Sequence, residues 1–112
     1  MNRFHVTFDV LVGSTQGELR ADRVERFTDH VLNLLVDRSG LIDPDAGAAL
    51  ALGSLEFMAM VEAGTPEDAV SIVGTHLRGC VAIALGADDG TGLRVEFRGA
   101  TAVESTAVRA AS

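Results

Sequence analysis

The side chains that could do chemistry in this sequence are few and scattered. Histidine occurs at His5, His30 and His76, and cysteine only at Cys80. The histidines share no ligand spacing, and a metal site needs clustered donors. Asp43, Asp45 and Gly47, and again Asp88, Asp89 and Gly90, have the composition of calcium loops. Both lack the alternating acids and closing glutamate of an EF-hand, so both read as turns. Ser14 and Thr15 have no histidine placed to act as a base, and Cys80 falls in the apolar stripe of a helix. A nucleophile needs an activating neighbour, and none is arranged here. His5 and Asp9 can share one strand face, but positions i and i+4 on a strand lie about 13 Å apart. His5 beside Glu96 or Arg98 across strands reads as a surface pair. No catalytic residue, metal or cofactor is assigned.

One loop could hold a ligand. Gly13-Ser14-Thr15-Gln16-Gly17 follows a strand and precedes a helix, where free backbone N–H groups can receive an anion. It is neither a G-x-G-x-x-G loop nor a P-loop, since the lysine is missing. The candidate contacts are Gly13, Ser14, Thr15 and Gly17, and a plain connection is the simpler reading.

The totals narrow the classes further. The chain of 112 residues is 47% hydrophobic and carries a net charge of -7. That is one domain, with enough apolar material to bury roughly 65% of the unfolded chain's surface. With five Phe and neither Trp nor Tyr, the core must be aliphatic. The acidic balance opposes nucleic-acid and anionic-membrane binding, which both rest on Lys and Arg. It favours solubility or a basic partner. All nine basic residues are Arg, as GC-rich coding in an actinobacterium or its phage would produce. A single cysteine forms no internal disulfide, and the sequence enters a strand with no leader-like segment. The expected setting is a reducing cytoplasm. The most apolar stretch, Val70–Leu85, is interrupted by His76, Arg78 and glycines and reads as too polar to span a bilayer.

The elements follow from periodicity. Phe4, Val6, Phe8, Val10 and Val12 alternate with His5, Thr7, Asp9 and Leu11 in a half-buried strand. Val24, Phe27, Val31, Leu34 and Leu35 form the stripe of a helix over about residues 21–38. Asp22 with Glu25, or Thr15 with Glu18, offers its capping box, and Ser39-Gly40 its end. Asp43-Pro44-Asp45 reads as a turn and Ala48–Leu52 as a weak edge strand. That strand forms a hairpin with Leu55–Ala63, where Leu55, Phe57, Ala59, Val61 and Ala63 face one way. Thr65 caps a second helix with Pro66 at its first position. Its stripe is Val70, Val73, Leu77, Cys80, Val81 and Ala84, and Gly86 ends it. After the Asp88–Gly92 turn, Leu93, Val95 and Phe97 alternate with Arg94, Glu96 and Arg98. Gly99 reads as a bulge that resets the phase before the strand runs on to Val103. Residues 106–112 read as a flexible tail.

The order β-α-β-β-α-β is the ferredoxin-like plan: an α+β sandwich of one four-stranded antiparallel sheet with two helices on one face, spanning residues 1–105. The first and third strands should be central, and the second sheet face uncovered. That face offers His5, Thr7, Asp9 and Leu11, then Glu56, Met58, Met60 and Glu62, then Arg94, Glu96 and Arg98. A plain solvated face with ionic cross-strand pairs is one reading. The other is a contact surface, with Met58, Met60 and Leu11 as apolar centre and Glu56, Glu62 and Arg94 around it. RNA-reading sheets need stacking aromatics here, and this one has none. The expected function is therefore a non-catalytic module that homodimerises or binds a protein.

Thr65-Pro66-Glu67-Asp68-Ala69, opening a helix after a strand of the Leu55–Ala63 kind, resembles small ferredoxin-like proteins of actinobacteria and their phages. The resemblance covers most of residues 3–105 and implies the fold but no activity. The place of the Gly13–Gly17 turn resembles the effector-contacting turn of ACT-type regulatory domains, without their acidic-Pro-Gly turn. It implies a small-ligand sensor as the alternative function. A third reading is an enzyme with a pocket between facing sheets, centred on His5. Such pockets carry His, Tyr, Arg or Asn in numbers that this chain lacks.

Overall fold

The computed structural model describes residues 2–49, 53–87 and 92–105. Its elements are β1 (Asn2–Ser14), α1 (Ala21–Val36), β2 (Ile42–Ala49), β3 (Ser54–Ala63), α2 (Pro66–Leu85) and β4 (Leu93–Glu104). The strands form one antiparallel sheet in the order β2-β3-β1-β4, so β1 and β3 are central. This is the ferredoxin-like α+β layout that the alternation and helix stripes predict.

One core holds the layers together. Phe4, Val6, Phe8, Val10 and Val12 of β1 are buried, as are Leu55, Phe57, Ala59, Val61 and Ala63 of β3. They meet Val24, Phe27, Val31 and Leu35 of α1 and Val73, Leu77, Cys80, Val81 and Ala84 of α2. Phe8 stands opposite Phe57 in the register, two large side chains at the centre of the buried face. Burial of each such side chain favours folding by roughly 1.5–3 kcal/mol, which is why the alternation fixes the face.

Helix ends follow local chemistry less uniformly. Thr65 Oγ1 accepts from the Asp68 N–H at 3.1 Å, with Pro66 beginning α2. Neither expected capping box forms on α1. Its N-cap is Arg20, which makes no side-chain cap, and Thr15 Oγ1 donates instead to the Gly92 carbonyl at 3.2 Å. The helix stops at Val36, two residues short of the expected 38, and Gly40 (φ +92°) turns the chain afterwards. In α2 the buried stripe takes in Ala69 and Gly74, while Val70 is only half-buried. Gly74 lies against the Phe8 ring, where an added Cβ would stand 3.0 Å from Cζ.

The second strand departs most from expectation. It begins at Ile42, and Asp43-Pro44 forms an irregularity inside it rather than a turn before it. Asp43 takes φ +48°. An edge strand tolerates this because only one side of its backbone is paired, and Pro44 has no N–H to leave idle. Residues 50–52, the end of the expected Ala48–Leu52 strand, lie outside the described residues. So do 88–91 of the last turn and the expected tail, 106–112.

The expected bulge near Gly99 is present. Asp9 pairs with Gly99 and Val10 with Phe97, so Arg98 is the extra residue. Before it, Leu93, Val95 and Phe97 face the helices; after it, Ala100 and Ala102 do. The Arg78 guanidinium lies 4.5 Å from the Phe97 ring centroid, and Phe8 meets that ring edge-on at 6.4 Å.

Candidate functional site

Strand pairing arranges the uncovered face of the sheet in levels. The Gly13 level pairs with Arg94, and Leu11 lies between Ser54 and Glu96. Asp9 lies between Glu56 and Gly99, with Gly47 beyond Glu56. Thr7 lies between Met58 and Thr101, with Asp45 beyond Met58. His5 lies between Met60 and Val103, and Arg3 beside Glu62. Met58, Met60, Thr7 and Leu11 are half-buried by their neighbours, whereas His5, Asp9, Glu56, Glu62 and Arg94 are exposed.

This geometry corrects the apolar centre. Leu11 is not grouped with Met58 and Met60; the Asp9–Glu56 level separates it from them. A further apolar side chain on this face is Val103 of the edge strand, across His5 from Met60, 65% exposed and on this face only because the Arg98 bulge reverses the strand's phase. The alternation after Gly99 was the signal in the sequence, but which face it served depended on counting the bulge. The register itself keeps His5 apart from Glu96 and Arg98: Glu96 pairs with Leu11, and its carboxylate meets Arg98 at 3.5 Å. Arg3 and Glu62 form the cross-strand ion pair of the other end, at 3.6 Å. Both pairs are exposed and contribute about 0–1 kcal/mol.

Asp9 and Glu56 are direct neighbours, an arrangement that disfavours the isolated sheet by roughly 0.2–1 kcal/mol. Glycines flank them on both sides, and a Cβ built at Gly47 or Gly99 would meet nothing within 4 Å. Two carboxylates thus stand in a shallow trough across the sheet.

At the Gly13–Gly17 turn the backbone is largely spoken for. Thr15 N–H donates to the Gly92 carbonyl at 2.8 Å and Gln16 N–H to Ser14 Oγ at 3.2 Å. Gly13 is a β1 residue with the Arg94 guanidinium 3.6 Å from where its Cβ would be. Gly17 has φ +111° and open space around it. Beside the turn is a cavity of about 200 Å³ lined by Ser14, Gln16, Glu18, Arg20 and Arg23 among others. Arg20 is engaged with Asp22 at 3.3 Å, and Glu18 adds a negative charge to the wall.

The remaining reactive groups stay apart. Among the described residues, no three of His, Cys, Asp and Glu gather as a metal set. Cys80 is fully buried. His76 lies beside a groove of about 500 Å³ with Leu41, Ile42, Val61 and Ile72, its Nδ1 buried without a partner. The sequence carries no sign of this groove, because it arises where β2 begins early and passes α2. An 18-residue window of that helix has a mean hydropathy of 1.3, so the helix is long and apolar enough by composition alone to cross a membrane, contrary to the sequence expectation. Its buried stripe against the sheet accounts for that composition.

Fold and face together define a small ferredoxin-like α+β protein with one sheet face bare among the described residues. No family model and no curated protein matches the chain. Among solved structures, one described as structural-genomics protein YJCS is 8% identical with a TM-score of 0.53, covering 90% of this chain and 96% of that one. That likeness shows the fold alone. The uncharacterized protein TM1266 from Thermotoga maritima is 13% identical, with a TM-score of 0.36 over 94% of this chain and 99% of its own. An amidase of the hydantoinase/carbamoylase family from Burkholderia multivorans is 16% identical, with a TM-score of 0.40 over 98% of this chain and 31% of its own. The last two carry no argument.

Proposed function

We propose that this chain is a non-catalytic interaction module that associates with a second copy of itself through the bare face of its sheet. One observation carries the reading. Half-buried Met58 and Met60 of the central strand β3 lie on a face that no described element covers, with exposed Val103 across His5 on the edge strand β4 and charged residues towards both ends. Exposed apolar groups rimmed by charge mark contact surfaces. Methionine suits such a surface because its unbranched side chain repacks easily. Strands about 4.8 Å apart and same-face levels about 6.8 Å apart make this face about 20 by 27 Å, or about 500 Å² per copy in projection. That lies at the small end of specific interfaces, so association belongs in the micromolar range.

Sedimentation of the purified chain at micromolar concentration tests this. Wild type should sediment as a dimer. Met58→Asp with Met60→Asp should weaken it at least about a hundredfold, since each methionine contributes roughly 1.5–3 kcal/mol when buried. The circular dichroism of the variant should stay native, because neither side chain belongs to the core. A wild type that is monomeric throughout that range would overturn the proposal.

A further inference from the structure

The geometry points to how the second copy sits: we infer that the two sheets meet about a two-fold axis running across the strands near Thr7. This rests on the reading that two copies meet at this face. Along β1 the outward side chains are Arg3, His5, Thr7, Asp9 and Leu11. The strand is polarised, basic at its start and acidic past its centre. Alongside, β3 presents Glu62, Met60, Met58 and Glu56, apolar in the middle and acidic at each end.

A two-fold interface is self-complementary, so every residue must suit its reciprocal partner. With the axis parallel to the strands, each level meets the same level of the other copy. The Asp9–Glu56 level would then face itself and place four carboxylates together. With the axis across the strands near Thr7, β1 crosses its counterpart head to tail. Asp9 of each copy then meets His5 of the other, with Arg3 one level further along. The Met58 side chains of the two copies meet on the axis and Met60 of each lies opposite Glu56 of the other, while Asp45 at the edge faces its counterpart, two carboxylates where the parallel axis gathers four at the centre.

The trough supports this arrangement independently. Gly47 and Gly99 leave open space beside Glu56 and Asp9. Imidazole and guanidinium groups from the opposite copy can enter there. The like-charged neighbours that disfavour the isolated sheet become the acceptors of a basic partner surface. Arg3 already lies 3.6 Å from Glu62, which keeps its guanidinium near the plane of contact and tempers the acid at that end of β3.

Charge exchange tests the geometry. Asp9→Arg and Arg3→Asp should each weaken the dimer about tenfold or more, while the double exchange should return to within about threefold of wild type. Thr7→Cys, near the axis, should be joined efficiently between copies by a short bismaleimide. Leu11→Cys should not, because its two copies would stand about 27 Å apart along the strand direction. Cys80 is buried and leaves the reaction to the introduced thiol. A dimer that Met58→Asp with Met60→Asp disrupts, but that charge exchange fails to restore or Leu11→Cys crosslinks in preference to Thr7→Cys, overturns this geometry and leaves the face reading standing. A monomeric wild type overturns both.

Discussion

Two glycines of α2 should respond oppositely to the same substitution. Gly74 and Gly79 both lie inside the helix, where alanine is favoured over glycine by about 1 kcal/mol. Propensity alone therefore predicts equal gains. The surroundings differ. A Cβ at Gly79 would come to 3.5 Å of an Arg38 guanidinium nitrogen, ordinary contact with the end of a flexible side chain. A Cβ at Gly74 would come to 3.0 Å of Phe8 Cζ. Phe8 is 4% exposed and abuts Phe97 edge-on, so its ring has little room to retreat. Overpacking of that kind costs roughly 1–3 kcal/mol. Gly79→Ala should therefore stabilise by about 1 kcal/mol, and Gly74→Ala should gain nothing and lose up to about 2 kcal/mol. At a urea slope of about 1–3 kcal/mol/M, the two midpoints should differ by about 0.3 M or more. The comparison is made by urea unfolding at one protein concentration, because the proposed self-association would raise apparent stability. A Gly74→Ala midpoint equal to or above that of Gly79→Ala would refute the close approach of α2 to Phe8.

Two smaller predictions concern the chain's turns. Thr65→Ala removes the acceptor for the Asp68 N–H and should lower stability by about 1 kcal/mol in the same assay; Thr65→Ser should retain most of it. Gly53→Ala should lose more than about 2 kcal/mol, because φ there is +64° and the new Cβ would stand 2.7 Å from the Val12 carbonyl oxygen. Thermal unfolding of that variant should fall by about 10 °C or more.

Residues whose neighbours in sequence decide their place were legible in advance. The alternation of β1 and β3 separates core from open face without ambiguity, because a one-residue slip would expose Phe8 or Phe57. The Thr65-Pro66 start of α2 was equally plain, since an N-cap is a local bond. What the sequence concealed depends on partners distant in the chain. Asp43-Pro44-Asp45 has the composition of a turn, and only the edge position of β2 lets it remain in a strand. Thr15 could have capped α1, but Gly92, far away in sequence, takes its hydroxyl. Leu11 lies on the expected face, yet its separation from Met58 by the Asp9–Glu56 level could be seen only once strand pairing was known.

The bulge at Arg98 is where these two kinds of information meet. Gly99 signals a break in phase, so the existence of a bulge was readable. Its consequence was not: counted against β1, the one extra residue brings Val103 beside His5 and puts Gly99, rather than a side chain, beside Asp9. Without it, the residue beside Asp9 would be Arg98, and an arginine there would fill the trough and neutralise the carboxylate from within the chain. With it, Arg98 turns to Glu96 and the Asp9–Glu56 level is left open and acidic. On the proposed dimer, the bulge therefore does two things at once. It adds an apolar side chain, Val103, to the β4 edge of the face, and it keeps the two carboxylates available to the basic groups that β1 of the proposed second copy would carry in the reverse order.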